Sequence, residues 1–153
     1  MLMLCGDAYI TRLPDPVLQQ LEHYGNPTLG VNDAFKAVTR FWDRITHPAQ
    51  ILQSLPAALA TMLDPADCGP AFIGLPQDVQ GWTFEYPASF FEKRVHRIRR
   101  QSPDVAEISD AVALLKKAKR PVIIAGGGVQ YSGAVAELTA FAEAHDIPVI
   151  ETI

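Results

Sequence analysis

Three adjacent glycines follow an apolar run in "KRPVIIAGGGVQYSG", Lys119 to Gly133. A strand that ends in free backbone amides at the start of a helix suits an anion, above all a phosphate. The dinucleotide-binding turn needs G-x-G-x-x-G, with an acid some way downstream for a ribose hydroxyl. From Gly126 the second glycine is Gly128, but Tyr131 takes the third place; from Gly127 the second place is Val129. The pattern fails in both registers, although Glu151 stands near where the acid would be. Gly126, Gly127 and Gly128 are therefore cofactor-binding candidates, set against a tight strand-to-helix turn with no ligand. Tyr131 puts a ring where the helix should approach its strand, so no tightly bound nucleotide is expected.

A second grouping is "VNDAFKAVTRFWDR", which gathers Asn32, Asp33, Lys36, Arg40, Asp43 and Arg44 around Phe35 and Trp42. Such a mixture lines a polar pocket or forms a salt-bridged surface. A third is "EKRVHRIRR", with Lys93, Arg94, Arg97, Arg99 and Arg100. It reads as a phosphate-binding patch or a solvated linker, and the lack of an aromatic stacking platform after it favours the linker. His23, His47, His96 and His145 include no pair at the i, i+4 spacing of helical metal ligands. Cys5 and Cys68 form no C-x-x-C and read as buried, reduced thiols of a cytosolic protein. G-x-S-x-G, the P-loop and H-E-x-x-H are all missing, so no catalytic or metal residue is assigned.

The elements that must position these residues are short. The chain has 153 residues and a formal charge of −4, which argues against nucleic acid as a partner. No apolar run approaches the ~20 residues of a membrane span, and "MLML" lacks the flanks of a signal peptide. "MLMLCGD" and "GPAFIGLP" read as buried strands, the second closed by Pro76. A short strand is expected over Ala37–Phe41. "HPAQILQSLPAALATMLDP" has helical spacing at Ile51, Leu52, Leu55, Leu59 and Met62, and Pro56 should kink or split it. From about Gln77 to Ser102 no period is visible, as in an interdomain linker. A helix follows, capped by Ser102 with Pro103 in its first turn; Val105, Ile108, Val112 and Leu115 should pack on a sheet containing Val122 to Ile124. "PVIIA", a helix with Val135, Leu138, Phe141 and Ala142 inward, and "IPVIETI" complete a βαβ unit. The pattern is α/β: parallel sheets with flanking helices. Beginning and ending in core strands, the chain reads as part of a longer polypeptide.

"DPVLQQLEH", "VNDAFKAVTRFWDRITHPAQILQSLP", "GPAFIGLPQDVQ", "FFEKRVHRIRR" and "RPVIIAGGGVQYSGA" together resemble the thiamine-diphosphate-dependent enzymes, over nearly the whole chain. "GPAFIGLPQDV" and "RPVIIAGGG" are general to that superfamily, which includes acetolactate synthase. The other stretches suggest its ring-opening hydrolases of inositol catabolism, which act on a cyclic diketone. The resemblance implies that residues 1–79 are the second half of a pyrimidine-binding domain and 80–100 a linker. Residues 101–153 would open a Rossmann-like central domain. It implies thiamine diphosphate and magnesium in the whole enzyme, a homo-oligomer (dimer or tetramer), no nucleic-acid or membrane partner, and a cytoplasmic location. It places Asn32, Asp33 and Arg40 on the substrate side and makes the glycine turn a vestigial nucleotide site. The family's activating glutamate and its GDG…N motif have no counterpart here: the one "GD", Gly6-Asp7, continues with Ala8. The chain alone is therefore expected to bind no cofactor and to be inactive. The alternatives are a piece of an acetolactate-synthase-like lyase and a stand-alone nucleotide-binding or interaction module.

Overall fold

The computed structural model describes residues 1–11, 23 and 25–152. These form two compact units, Met1–Ile98 and Arg99–Ile153. Part of the stretch "DPVLQQLEH" lies outside the described residues.

The first unit is built on a parallel sheet of three strands, β1 (Leu2–Asp7), β2 (Phe41–Arg44) and β3 (Ala71–Pro76), in the order β1-β3-β2. The apolar run "AFIGLP" takes the centre because a parallel strand covered on both faces needs no polar alternation. On one face Ala71 and Ile73 join Ile45, Ala58 and Val79 in the core. Helix α1 (Ile51–Leu63) adds Ile51, Leu55 and Met62 to that core. On the other face Phe72 is fully buried, stacked 5.1 Å from the Phe35 ring and 6.0 Å from the Trp42 ring. Registers pair Cys5 and Arg44 with Gly74, and Asp7 with Pro76. With side chains alternating along a strand, Asp7, Gly74 and Arg44 share the Phe72 face.

Several expectations need correction here. Val31–Ala37 is a 3-10 helix, and the strand expected at Ala37–Phe41 starts only at Phe41. Local bonds hold the helical turn: Gly30 N donates to Asp33 Oδ2 at 2.7 Å and Thr39 Oγ1 to the Phe35 carbonyl at 2.8 Å. Helix α1 runs through Pro56 without splitting. Its packing on the sheet outweighs the missing N–H. Cys5 and Cys68 are free but only half-buried. After β3 comes a single turn, α2 (Gln77–Gln80), then a 3-10 turn at Ala88–Phe91. The basic run Lys93–Arg100 has no regular structure and is exposed throughout.

The second unit contains α3 (Val105–Lys117), β4 (Ile123–Ala125), α4 (Gly127–Ser132), α5 (Val135–His145) and β5 (Val149–Glu151). Strands β4 and β5 are parallel, with Ile123 opposite Val149. The cap of α3 is Asp104, not Ser102; its carboxylate accepts from Ala106 N at 2.7 Å and Glu107 N at 3.3 Å. Pro103 accordingly lies outside the helix. The expected packing of α3 is overturned. Val105 is 77% exposed, and Ile108, Val112 and Leu115 are 45%, 42% and 39% exposed. A two-stranded sheet offers too little surface to cover that stripe. On α5, Ala142 is buried and Leu138 half-buried, whereas Val135 and Phe141 are exposed.

Candidate functional site

In parallel α/β sheets ligands bind beyond the carboxyl ends of the strands. In the first unit those ends bring together Asp7 from β1, Arg44 from β2 and Gly74 near the end of β3. Arg44 Nε donates to Asp7 Oδ2 at 2.6 Å and Nη2 to Asp33 Oδ2 at 2.8 Å. Nη1 reaches the Thr28 carbonyl at 3.3 Å. Asp7 Oδ1 accepts from Ala8 N at 2.8 Å. Lys36 Nζ lies 2.6 Å from Asp33 Oδ1 and 4.2 Å from the centre of the Trp42 ring. That oxygen has no donor at hydrogen-bond angles, so charge alone compensates it. A cavity of about 270 Å³ opens on this cluster, lined by Asp7, Tyr9, Thr28, Gly30, Arg44 and Thr46 among others.

Burial by itself would raise the Asp33 pKa. The Lys36 ammonium, the Arg44 guanidinium and the Gly30 amide outweigh it and hold the carboxyl well below the usual range. Burial would likewise weaken the Arg44 cation, but Asp7 and Asp33 raise its pKa above the ordinary arginine value. At Asp78, burial is outweighed by the amide and hydroxyl of Thr11 and the amides of Ile10 and Val79, which lower its pKa. A carboxyl depressed in the folded state stabilises fully above its unfolded pKa, about 3.9. The contribution is lost as pH falls through the folded value. The melting temperature should therefore be flat on the acid side until about pH 4 and fall below it. Asp33→Asn should flatten part of that fall; an unchanged acid profile in thermal unfolding would contradict the assignment.

The sequence candidates separate in space. Asp33 anchors Arg44. Asn32 is buried: its Nδ2 donates to the Gly6 carbonyl at 2.7 Å, and its carbonyl accepts from Trp42 Nε1 at 2.9 Å. Both support the sheet end from behind. Arg40 lies elsewhere, paired with Asp67 at 3.3 Å, with side chains 59% and 71% exposed. Such a pair contributes about 0–1 kcal/mol. Asp7 was missed as a site residue, and Arg44 was one member of an undivided polar set.

In the second unit the glycine turn caps α4 with Gly126. None of Gly126–Gly128 uses positive φ; among the described residues that backbone belongs to Gly133, at φ 66°, and Asp146, at φ 52°. Gly126, Gly127 and Glu151 line a cavity of about 820 Å³ whose ionisable side chains are the carboxylates Glu143, Asp146 and Glu151. Among the described residues no cation lines it to meet a diphosphate. At Gly128 an added Cβ meets nothing within 4 Å. Gly128→Ala should thus stabilise the chain by roughly 0.5–1 kcal/mol, since alanine loses less backbone freedom in a helix. A lower unfolding midpoint in urea would show that the glycine is needed for something else.

Among the described residues no three His, Cys, Asp or Glu side chains stand close enough to hold a metal. The buried carboxylate of Asp7 and the half-buried one of Asp33 are both bound to Arg44, and a magnesium ion would have to displace the guanidinium. These residues do not fit the metal or the diphosphate it would carry. No helix among the described residues is long and apolar enough to cross a membrane.

Comparison with known proteins agrees with the α/β architecture. Residues 108–153 match the central domain of thiamine pyrophosphate enzymes. Beyond that segment, the chain is similar along nearly its whole length to enzymes named 3D-(3,5/4)-trihydroxycyclohexane-1,2-dione hydrolase. The protein of Geobacillus thermodenitrificans is 47% identical over 151 residues, 99% of this chain and 24% of the relative. That of Clostridium tetani is 50% identical over 151 residues, 99% of this chain and 23% of the relative. The chain thus spans about a quarter of the length of the curated relatives it matches.

Proposed function

We propose that this chain is part of a thiamine-diphosphate-dependent hydrolase that cleaves a C–C bond and opens the ring of trihydroxycyclohexane-1,2-dione in inositol catabolism. The observation that carries this reading is identity of 47–50% across 99% of the chain to enzymes bearing that name. Residues 1–79 serve as half of a pyrimidine-binding domain, 80–100 as a linker and 101–153 as the opening of the central domain. The whole enzyme uses magnesium with its cofactor and works as a cytoplasmic homo-oligomer. Two free thiols suit a reducing compartment.

When bound, thiamine diphosphate supplies the carbanion and electron sink. On this reading the groups that hold it and its metal come from other parts of the enzyme. The part of the residues described here is to build a wall on the substrate side and to keep water from it. Asn32 and Asp33 do so by fixing Gly6 and Arg44. Arg40 serves there only if domains outside this chain turn its exposed face toward the substrate. In the full-length enzyme Arg40→Ala should then lower turnover without unfolding; unchanged kinetics would leave Arg40 in a surface ion pair. The coding sequence around this segment tests the reading as a whole. An activating glutamate upstream and a GDG…N motif downstream support it, and the lack of both would contradict it. Titration of the isolated chain with thiamine diphosphate and magnesium should show no saturable binding.

A further inference from the structure

We infer that Arg44, clamped at the carboxyl end of β2, reads the ring hydroxyls of a small neutral polyol in the cavity beside it. The inference takes its substrate from the reading above but not its site, which stands on geometry. A guanidinium has five N–H donors in a fixed fork. Arg44 spends one on Asp7, one on Asp33 and one, at 3.3 Å, on the Thr28 carbonyl. Two are left without an acceptor among the described residues. The side chain is only 18% exposed, and the opening it meets is the cavity of about 270 Å³. That is near the roughly 300 Å³ floor of drug-sized sites, so it suits one small ring.

Charge decides the class of ligand. The cations Arg44 and Lys36 are matched by the carboxylates Asp7 and Asp33, all within salt-bridge distance. A neutralised guanidinium attracts an anion weakly, yet its free N–H groups still need oxygen acceptors. Asp7 lies on the same wall and can accept from a hydroxyl. A ring hydroxyl both accepts and donates, so adjacent hydroxyls meet the Arg44–Asp7 edge in both senses. Inorganic phosphate can also accept and donate, but its net negative charge would face the Asp7 carboxylate with like charge.

The test records amide and arginine side-chain NMR spectra of the 153-residue chain during titration with myo-inositol or with inorganic phosphate. Saturable shifts at the Arg44 Nε–H and at the Gly30 and Thr46 amides are expected with myo-inositol, and none with phosphate. Arg44→Lys, which keeps the charge but loses the fork, should weaken binding about tenfold or more. Leu29→Trp, which fills the cavity from its rim and leaves the ion pairs intact, should abolish the shifts. No shift with myo-inositol, a stronger response to phosphate, or myo-inositol binding unchanged in both variants would overturn the inference. In the full-length enzyme Arg44→Lys should raise KM for the trihydroxy diketone more than it lowers kcat. Polyol binding without turnover by the wild type would remove only the proposed reaction and leave the site standing.

Discussion

Asp7→Ala should destabilise the chain by about 3 kcal/mol, more than a typical surface substitution changes it. The Asp7 side chain is 3% exposed and holds Arg44 Nε at 2.6 Å. Removing it leaves a largely buried guanidinium with one carboxylate instead of two and opens a small void beneath Gly74. Asp33 retains its bond at 2.8 Å, which keeps the cost at the lower end of the range for broken buried pairs. The double variant Asp7→Ala with Arg44→Met should recover part of the loss, because it removes the orphaned guanidinium while Asp33 keeps Lys36 at 2.6 Å. Urea unfolding of both variants checks this. Equal losses in the single and double variants would show that the cost comes from packing rather than from an orphaned charge.

Gly74→Ala should cost about 2 kcal/mol by overpacking. An added Cβ would sit 2.7 Å from Asp7 Oδ2, the oxygen that receives Arg44. The central strand is hydrogen-bonded on both sides and has no room to retreat, so the carboxylate must move and the Arg44 bond lengthens. The same variant should weaken myo-inositol shifts at Arg44, linking stability to the site. A Gly74→Ala chain as stable as the wild type would mean that Asp7 is free to swing aside.

Strands β1 and β3 were legible because a buried parallel strand is a continuous apolar run. Strand β2 was placed too early. Its residues, "FWDR", alternate in a way that also fits a surface turn, and the preceding 3-10 helix rests on short-range bonds at Gly30 and Thr39. The separation of Arg40 from Arg44 follows from that start point. Both are arginines within two positions of an aromatic residue and four positions apart, and only the pairing of Arg44 with Gly74 decides which one reaches the sheet end. The Asp7–Arg44 contact joins positions 37 apart and has no local signature. At "SPD", Ser102 was read as the cap of α3 with Pro103 in its first turn. The chain ends up using Asp104, whose carboxylate reaches two amides. Helical period marked the apolar stripe of α3 correctly but carries no information on what covers it.

The most direct measurement is turnover of trihydroxycyclohexane-1,2-dione by the full-length polypeptide that carries this sequence, with thiamine diphosphate and magnesium added and then withdrawn. The reading requires ring opening that needs the cofactor and is absent from the isolated chain. Formation of acetolactate from pyruvate without ring opening, or no cofactor-dependent reaction on the diketone, would contradict it.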